Sequence, residues 1–254
     1  MKYYEQLIEK GCFSRTDAEV LTGNEDAADS LLFSYKKKGY IDCVRRNLFV
    51  AISLETKQPV VNRYVIASNI ATDAYITHHS AFEYYGYANQ VYYEVYTAAK
   101  TRFRGFEYDG ITYRRVAPNI NSGVDTKRDG TRVTDIERTV IDSINDFEKI
   151  GGLEELLHCL SLVPSLNEEK LFNYLDEYDK RLLYQRTGYI LEHFKDELKL
   201  SEGFFTTCKS TIPKSKQYFY KGLQHESHHL AKGWRLFVPE NLLAIINKGG
   251  AFVE

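Results

Sequence analysis

Residues Tyr35–Ile52 read YKKKGYIDCVRRNLFVAI, and this stretch contains the end of a helix, a turn and a hairpin. Three lysines precede Gly39, and glycine commonly ends helices because it adopts a left-handed backbone without steric cost. Tyr40–Val44 and Leu48–Ile52 have the composition of two strands. The turn between them is Arg45-Arg46-Asn47. The stretch therefore predicts a basic helix end followed by a β-hairpin with arginines at its tip.

The residues upstream of the lysines predict the helix itself. Asn24 is a suitable N-cap for a helix over Glu25–Lys38, because its side chain can accept hydrogen bonds from the first free N–H groups. Acidic residues at its start and lysines at its end both favour the helix dipole. The inner face is then formed by four residues at helical spacing. These are Ala28, Leu31, Leu32 and Tyr35.

Two shorter helices are predicted before this one. The first covers Lys2–Lys10 and ends at Gly11, and the second is capped by Ser14 with Asp17 and stops at Gly23. Three helices joined by short turns and followed by a hairpin, all within about 50 residues, are typical of a winged helix-turn-helix. The sequence therefore predicts this DNA-binding fold at the N-terminus.

The rest of the chain predicts a larger, mixed domain. A polar stretch around Pro59 indicates a linker, so we expect an α+β protein with a winged helix-turn-helix over 1–54, a linker over 55–61, and a mixed α/β C-terminal domain over 62–254. The helices predicted in this domain cover Tyr64–Ile70, Ser80–Tyr85, much of Gly152–Leu200 and a short tail after the last strand. The predicted strands are Gln90–Ala98, Arg102–Tyr108 with a turn at Asp109-Gly110, and Trp234–Pro239.

Composition limits the classes of function. The chain has 254 residues and a formal net charge of −2, which argues against coating nucleic acid along its whole length but allows a local basic patch. No apolar run approaches the roughly 18 residues that span a bilayer. The start MKYYEQLIEK has no secretory leader, so we expect a cytoplasmic protein whose four scattered cysteines are free thiols.

The strongest functional signal is the basic group at the helix end and hairpin tip, whose side chains can reach DNA phosphates. Ser30, Ser34 and Lys37 lie along one line of the helix, with Phe33 beside them, and are expected to face the bases. Glu25, Asp26 and Asp29 oppose this interpretation by placing negative charge at the start of the same helix. The complete set of expected DNA contacts is Arg15, Ser30, Ser34, Lys36, Lys37, Lys38, Arg45, Arg46 and Asn47.

Other polar clusters predict structural roles. The histidines His78-His79 and His225-x-x-His228-His229 lack the further ligands of a zinc site and are expected at the surface. Glu107 and Asp109 suggest, as an alternative function, a metal-dependent nucleic-acid-processing enzyme targeted by the winged helix. The turn at Asp109-Gly110 explains that aspartate without catalysis.

In VTDIERTVIDSI we expect a capping box of Thr134 with Glu137 and an ion pair between Arg138 and Asp142. Its buried positions are expected to be Ile136, Val140, Ile141 and Ile144. No phosphate loop, nucleophile elbow or dinucleotide fingerprint is present, so we expect neither an enzyme nor a bound cofactor or metal. A third interpretation is an interaction module in which the winged helix packs against protein.

Several stretches together resemble the AbiEi-type antitoxins of the type IV, abortive-infection AbiE toxin–antitoxin systems. These are FSRTDAEVLTG, YKKKGYIDCVRRNLFVAI, YITHHSAFEYYG and RVTDIERTVIDSI, and the resemblance extends over about residues 1–200. It implies a transcriptional repressor that binds inverted repeats in its own promoter. It also implies a C-terminal antitoxin that counteracts a nucleotidyltransferase-like toxin in phage defence, without requiring a stable complex with it.

Overall fold

The computed structural model describes residues 2–242 and 244. Over these residues the chain forms ten α-helices and twelve strands, which confirms the predicted α+β class. Contacts divide it into two compact units. The first contains the residues up to Ile76 together with 92–118 and 125–133, and the second contains 77–91, 119–124 and the described residues from Thr134 onward. The predicted division at 55–61 stays a prediction.

The first unit begins with three helices and a three-stranded antiparallel sheet. The predicted helices and hairpin are confirmed to within a few residues, and Cys12–Ser14 adds a short strand that the sequence did not predict, giving the order β1-β3-β2. The elements are α1 (Tyr4–Lys10), β1 (Cys12–Ser14), α2 (Arg15–Thr22), α3 (Glu25–Lys37), β2 (Ile41–Arg45) and β3 (Leu48–Ala51).

Side-chain caps fix the ends of these helices. The Ser14 hydroxyl accepts a hydrogen bond from the Asp17 N–H at 3.1 Å, and the Asp17 carboxylate accepts one from the Ser14 N–H at 2.7 Å. This is the predicted capping box. Gly23 ends α2 in the left-handed region, and the Asn24 side chain accepts from the Ala27 N–H at 2.8 Å to begin α3. Glycine and asparagine thus set the tight turn between the two helices.

A small core holds these elements together. Of the four predicted inner positions of α3, Ala28, Leu32 and Tyr35 are buried, and Leu31 is half-buried against the same cluster. The other buried members come from each remaining element of the group. They are Leu7, Phe13, Ala18, Ile41 and Ala51.

The hairpin is tighter than predicted. Arg45 pairs with Leu48, so the turn consists of Arg46 and Asn47 alone, and Arg45 belongs to the strand. Asn47 has a φ of 64°, a left-handed conformation that asparagine tolerates better than most residues. This conformation allows a two-residue turn. Two-residue turns of this kind are common in hairpins because their backbone twist matches that of the flanking strands.

A six-stranded mixed sheet forms most of the rest of the first unit, in the order β6-β7-β5-β4-β9-β8. Asp109 and Gly110 form the predicted two-residue turn, with φ of 51° and 72°. The predicted strand over Arg102–Tyr108 is wrong at its start, because only its last three residues pair with a neighbour. The elements are α4 (Arg63–Ser68), β4 (Tyr75–Ile76), β5 (Glu94–Ala98), β6 (Phe106–Tyr108), β7 (Ile111–Val116), β8 (Val124–Thr126) and β9 (Arg132–Thr134).

The second unit is mainly helical, as predicted for Gly152–Leu200. It has a large apolar core and a small sheet of order β10-β12-β11. The last strand starts at Leu236, later than the predicted Trp234. The predicted tail helix falls mostly outside the described residues, of which Leu242 and Ala244 are helical. The elements are α5 (His79–Tyr85), α6 (Ile136–Asn145), α7 (Leu153–Leu162), α8 (Glu168–Tyr178), α9 (Arg181–Glu192), α10 (Glu202–Thr211), β10 (Gln217–Tyr218), β11 (His228–Ala231) and β12 (Leu236–Pro239).

The start of α6 differs from the prediction. Asp135, not Thr134, is the N-cap, and its carboxylate accepts from the Arg138 N–H at 2.8 Å. Thr134 instead ends β9 and bonds through its hydroxyl to Thr139, and Glu137 accepts a hydrogen bond from a backbone N–H of another segment. The capping box prediction was therefore wrong by one residue.

The ion pair predicted along α6 is confirmed, with Arg138 Nε 2.7 Å from Asp142 Oδ1, and both side chains are buried. The predicted apolar positions Val140, Ile141 and Ile144 are fully buried, and Ile136 is partly buried against the same core.

The histidine prediction was wrong for the first pair. His78 and His79 are only 4% and 0% exposed. The His79 ring lies between two carboxylates, with Nδ1 3.8 Å from Glu83 and Nε2 3.5 Å from Glu155. The hydrophobic segments around the pair bury it, a tertiary effect that two adjacent polar residues do not reveal.

The second histidine cluster lies at least partly in a strand. His228 and His229 are in β11, so their side chains point to opposite faces and not along one helix face. Across the described part of the chain, no group of three or more histidine, cysteine, aspartate or glutamate residues is arranged to hold a metal ion.

Burial of His78 predicts a pH dependence of stability. Burial lowers the pKa of His78 from 6.5 to about 4, so the folded state favours the neutral ring. This contribution is fully present above pH 6.5 and is lost as the pH falls towards 4, because the unfolded chain then binds the proton more readily. Between about pH 7.5 and about pH 5, the free energy of unfolding of the wild type should fall by roughly 2 kcal/mol more than that of His78→Asn. Parallel urea-unfolding curves for the two proteins across that range would contradict the assignment.

Candidate nucleic-acid interface

The outer face of α3 is accessible to solvent and carries both polar and apolar side chains. Ser30 and Phe33 are exposed and Ser34 is half-buried, with Phe33 showing 74% of its surface. Ser30, Ser34 and Lys37 share one face because they are spaced four and three residues apart. The structure therefore places the predicted base-facing residues together on an accessible helix surface.

The acidic start of α3 is bound by Arg15, the first residue of α2. Arg15 donates from Nε to Asp29 Oδ1 at 2.7 Å, and from Nη2 to Asp29 Oδ2 at 2.9 Å and Glu25 Oε1 at 2.7 Å. The hydrogen bond from Arg15 holds the pKa of Asp29 below its usual value, and the same contacts raise the pKa of Arg15. Arg15, predicted as a DNA contact, thus engages two carboxylates whose charge it offsets.

The end of α3 is basic and unpaired. Lys36 and Lys37 lie in the last turn, Lys38 is the C-cap, and all three are exposed. In the part of the chain that the structure describes, no hydrogen bond or ion pair engages their ammonium groups. Free cations at a helix end are available for an anionic partner, and they also interact favourably with the helix dipole.

The hairpin presents one arginine to solvent and packs the other. Arg46 and Asn47 are exposed at the turn. The guanidinium carbon of Arg45 lies 5.6 Å from the ring centroid of Phe103 and 5.2 Å from that of Phe106, within cation–π range. Its Nη1 is buried with no hydrogen-bond partner among residues 2–242. The structure therefore brings Arg46 and Asn47, but not the Arg45 guanidinium, to the open tip.

A second contact joins the hairpin to the six-stranded sheet. The Tyr108 hydroxyl lies near the Asp42 carboxylate, and burial together with this carboxylate raises the pKa of Tyr108. Asp42 lies on β2, as Arg45 does, and Tyr108 lies on β6, as Phe106 does. Two side chains on one strand thus attach the hairpin to one edge strand of the sheet.

Sequence inspection missed a basic loop next to this attachment. Lys100, Arg102 and Arg104 are exposed between β5 and β6. Part of this segment lies in the predicted strand over Arg102–Tyr108. The alternation of basic and other residues in KTRFRG, without an acidic residue, was the available signal.

The carboxylates Glu107 and Asp109 lie on β6 and in the turn that follows it. Glu107 is exposed on β6 and Asp109 forms the tight turn, as its left-handed φ requires. Neither belongs to a cluster of potential metal ligands among the described residues.

No described helix is both long enough and apolar enough to cross a membrane.

The packing of Arg45 predicts a difference between the two arginines of the hairpin. Arg45→Ala removes a cation from two aromatic faces and should lower the free energy of unfolding by about 1–2 kcal/mol. Arg46→Ala, a matched change at an exposed position, should stay within about 0.5 kcal/mol of the wild type. Urea unfolding monitored by circular dichroism measures both, and equal effects would show that Arg45 is not held by the rings.

Comparisons with known proteins identify a similar fold and no family. No family model and no curated protein matches the chain. Among solved structures, the fold is similar to that of the Rv2827c protein from Mycobacterium tuberculosis, with a TM-score of 0.63 over 98% of this chain and 94% of that one. The two sequences are 14% identical, so the similarity concerns the fold alone. The resemblance to AbiEi-type antitoxins stays a prediction.

Proposed function

We propose that α1–β3 form a winged helix-turn-helix that binds double-stranded DNA, with α3 as the recognition helix and the β2–β3 hairpin as the wing. The observation that carries this proposal is the pair of open basic ends, Lys36–Lys38 on the helix and Arg46 on the wing tip, separated from the acidic start of α3. Cations at a helix end and a wing tip suit phosphates on either side of a groove.

The charge arrangement gives α3 a direction on the DNA. Its first turns carry Glu25, Asp26 and Asp29, and Arg15 offsets part of that charge by binding two of the three. The lysines at the other end contact phosphate. The second half of α3 therefore lies closest to the sugar–phosphate backbone of the DNA. Phe33 and Ser30 are placed to meet base edges, where an apolar ring suits the thymine methyl group.

We further propose that the protein represses its own operon by binding inverted repeats there, and that its C-terminal region counteracts a nucleotidyltransferase-like toxin. The support is the resemblance carried by FSRTDAEVLTG, YITHHSAFEYYG and RVTDIERTVIDSI. Such a regulator acts in the cytoplasm on DNA, and it need not form a stable complex with the toxin. No residue of the chain is assigned a catalytic role.

DNA binding is tested by fluorescence anisotropy with a labelled duplex from upstream of the gene, titrated between 50 and 200 mM salt. Because each phosphate contact adds about 0.9 to the slope of log affinity against log salt, Arg46→Ala should flatten the slope by about 0.9 and Lys36→Ala/Lys37→Ala by roughly twice that. Arg128→Ala is the matched control. This arginine is exposed in the β8–β9 turn, and β8 is at the opposite edge of the sheet from β6.

Three results would count against the DNA role. They are no binding by the wild type, binding that does not depend on salt, and an equal loss of slope in Arg128→Ala. Unfolding curves of each variant show whether a loss of binding arises from a loss of fold.

The antitoxin role is tested by coexpression with the nucleotidyltransferase-like reading frame adjacent to the gene. The wild type should restore growth. The variant Lys36→Ala/Lys37→Ala/Arg46→Ala should restore it equally while failing to repress a reporter fused to the upstream DNA, because its changes are confined to the N-terminal elements. Failure of the wild type to restore growth would remove the antitoxin proposal and leave the DNA role standing.

A further inference from the structure

The loop between β5 and β6, residues 99–105, carries only positive charge. Lys100, Arg102 and Arg104 are exposed, and no acidic residue occurs from Ala98 to Phe106. Within residues 2–242, no hydrogen bond or ion pair engages these three charged groups. Three positive charges within five residues repel one another, and binding of an anionic partner would relieve that repulsion.

The backbone of this loop is held in place at its start. Asp73 Oδ2 accepts hydrogen bonds from the N–H groups of Lys100 at 2.7 Å and Thr101 at 3.0 Å. Partial burial acts to raise the pKa of Asp73, but these hydrogen bonds outweigh it and hold the pKa below its usual value, so the carboxylate stays ionised. The loop start is therefore fixed by a half-buried negative charge.

Arg115 holds the same segment from β7. Its Nη2 donates to the carbonyl oxygens of Ala99 at 2.8 Å and Lys100 at 3.1 Å, and its Nε donates to that of Thr101 at 3.1 Å. Five hydrogen bonds from two side chains thus order three consecutive residues. A surface ordered before binding loses less conformational entropy when it meets its partner.

The loop is adjacent to the wing. Phe103 and Phe106, the two rings that contact Arg45, lie on either side of Arg104 and Gly105 in the chain. Since consecutive Cα atoms are about 3.8 Å apart, the backbone of Arg104 is next to the Arg45 contact. Arg46 follows Arg45 directly, so the loop and the wing tip are close to one another.

We propose that Lys100, Arg102 and Arg104 form a second phosphate-binding element, which extends the DNA surface from the wing onto the six-stranded sheet. The inference rests on the proposed function of the winged helix. DNA fits better than an acidic protein segment because it carries one negative charge per about 1.7 Å of helix axis, so a row of cations beside the wing meets successive phosphates. Arginine suits this role because its planar guanidinium binds phosphate through two parallel hydrogen bonds.

The test compares Arg102→Ala/Arg104→Ala with Arg46→Ala and with the control Arg128→Ala, on the same upstream duplex. The loop variant should flatten the salt slope by about 1.8, so that its affinity falls roughly tenfold less than that of the wild type between 50 and 200 mM salt. The control should behave as the wild type. Both loop side chains are exposed, so the melting temperature of the loop variant should match that of the wild type.

The outcomes separate this inference from the proposed function. If the wild type binds with the expected slope, Arg46→Ala flattens it, and the loop variant matches the wild type, then the loop lies outside the DNA surface and the inference is wrong. The inference is equally wrong if the loop variant keeps full DNA affinity but loses binding to an acidic protein. If the wild type does not bind DNA, the proposed function fails first and the inference fails with it.

Discussion

The contact of Arg45 with Phe103 and Phe106 is the interaction on which the proposed surface depends. Arginine at a hairpin tip is ordinarily a mobile, solvated cation, but here its guanidinium is 5.2 and 5.6 Å from two ring centroids. The contact ties the wing to β6, and the proximity of Asp42 to Tyr108 is a second contact between the same two strands. The tip is thereby left to Arg46, which is exposed.

The two ends of α3 carry opposite charges, and Arg15 binds part of the acidic end. A recognition helix that starts with three acidic residues would repel DNA along its first turns. Arg15 reduces that cost by binding Asp29 through two hydrogen bonds and Glu25 through a third. Through these contacts Arg15 also ties α2 to α3. On the proposed function, the lysines at the far end of α3 are the charges that an approaching duplex meets.

Local rules predicted most of the first fifty residues, because caps, glycine stops and two-residue turns are decided by neighbours in the chain. Ser14 with Asp17 is an example, and the Asp109-Gly110 turn shows the same further along the chain. The rules failed where a partner lies far along the sequence. Nothing near Arg45 indicates that rings about 60 residues later will cover it, and the burial of His78-His79 depends equally on distant packing. The proposed contacts on α3 and the hairpin were thus named from the sequence, but neither the packing of Arg45 nor the basic loop was predicted.

The most direct measurement of the central claim is photo-crosslinking to the upstream duplex. A crosslinking amino acid is placed in turn at the positions of Phe33, Arg46, Arg104 and Arg128, all of which are exposed. If α3, the wing tip and the basic loop share one DNA surface, the first three positions will crosslink and the position of Arg128 will not. Crosslinks at Arg128 equal to those at Phe33 and Arg46, or none at those two positions, would contradict the account.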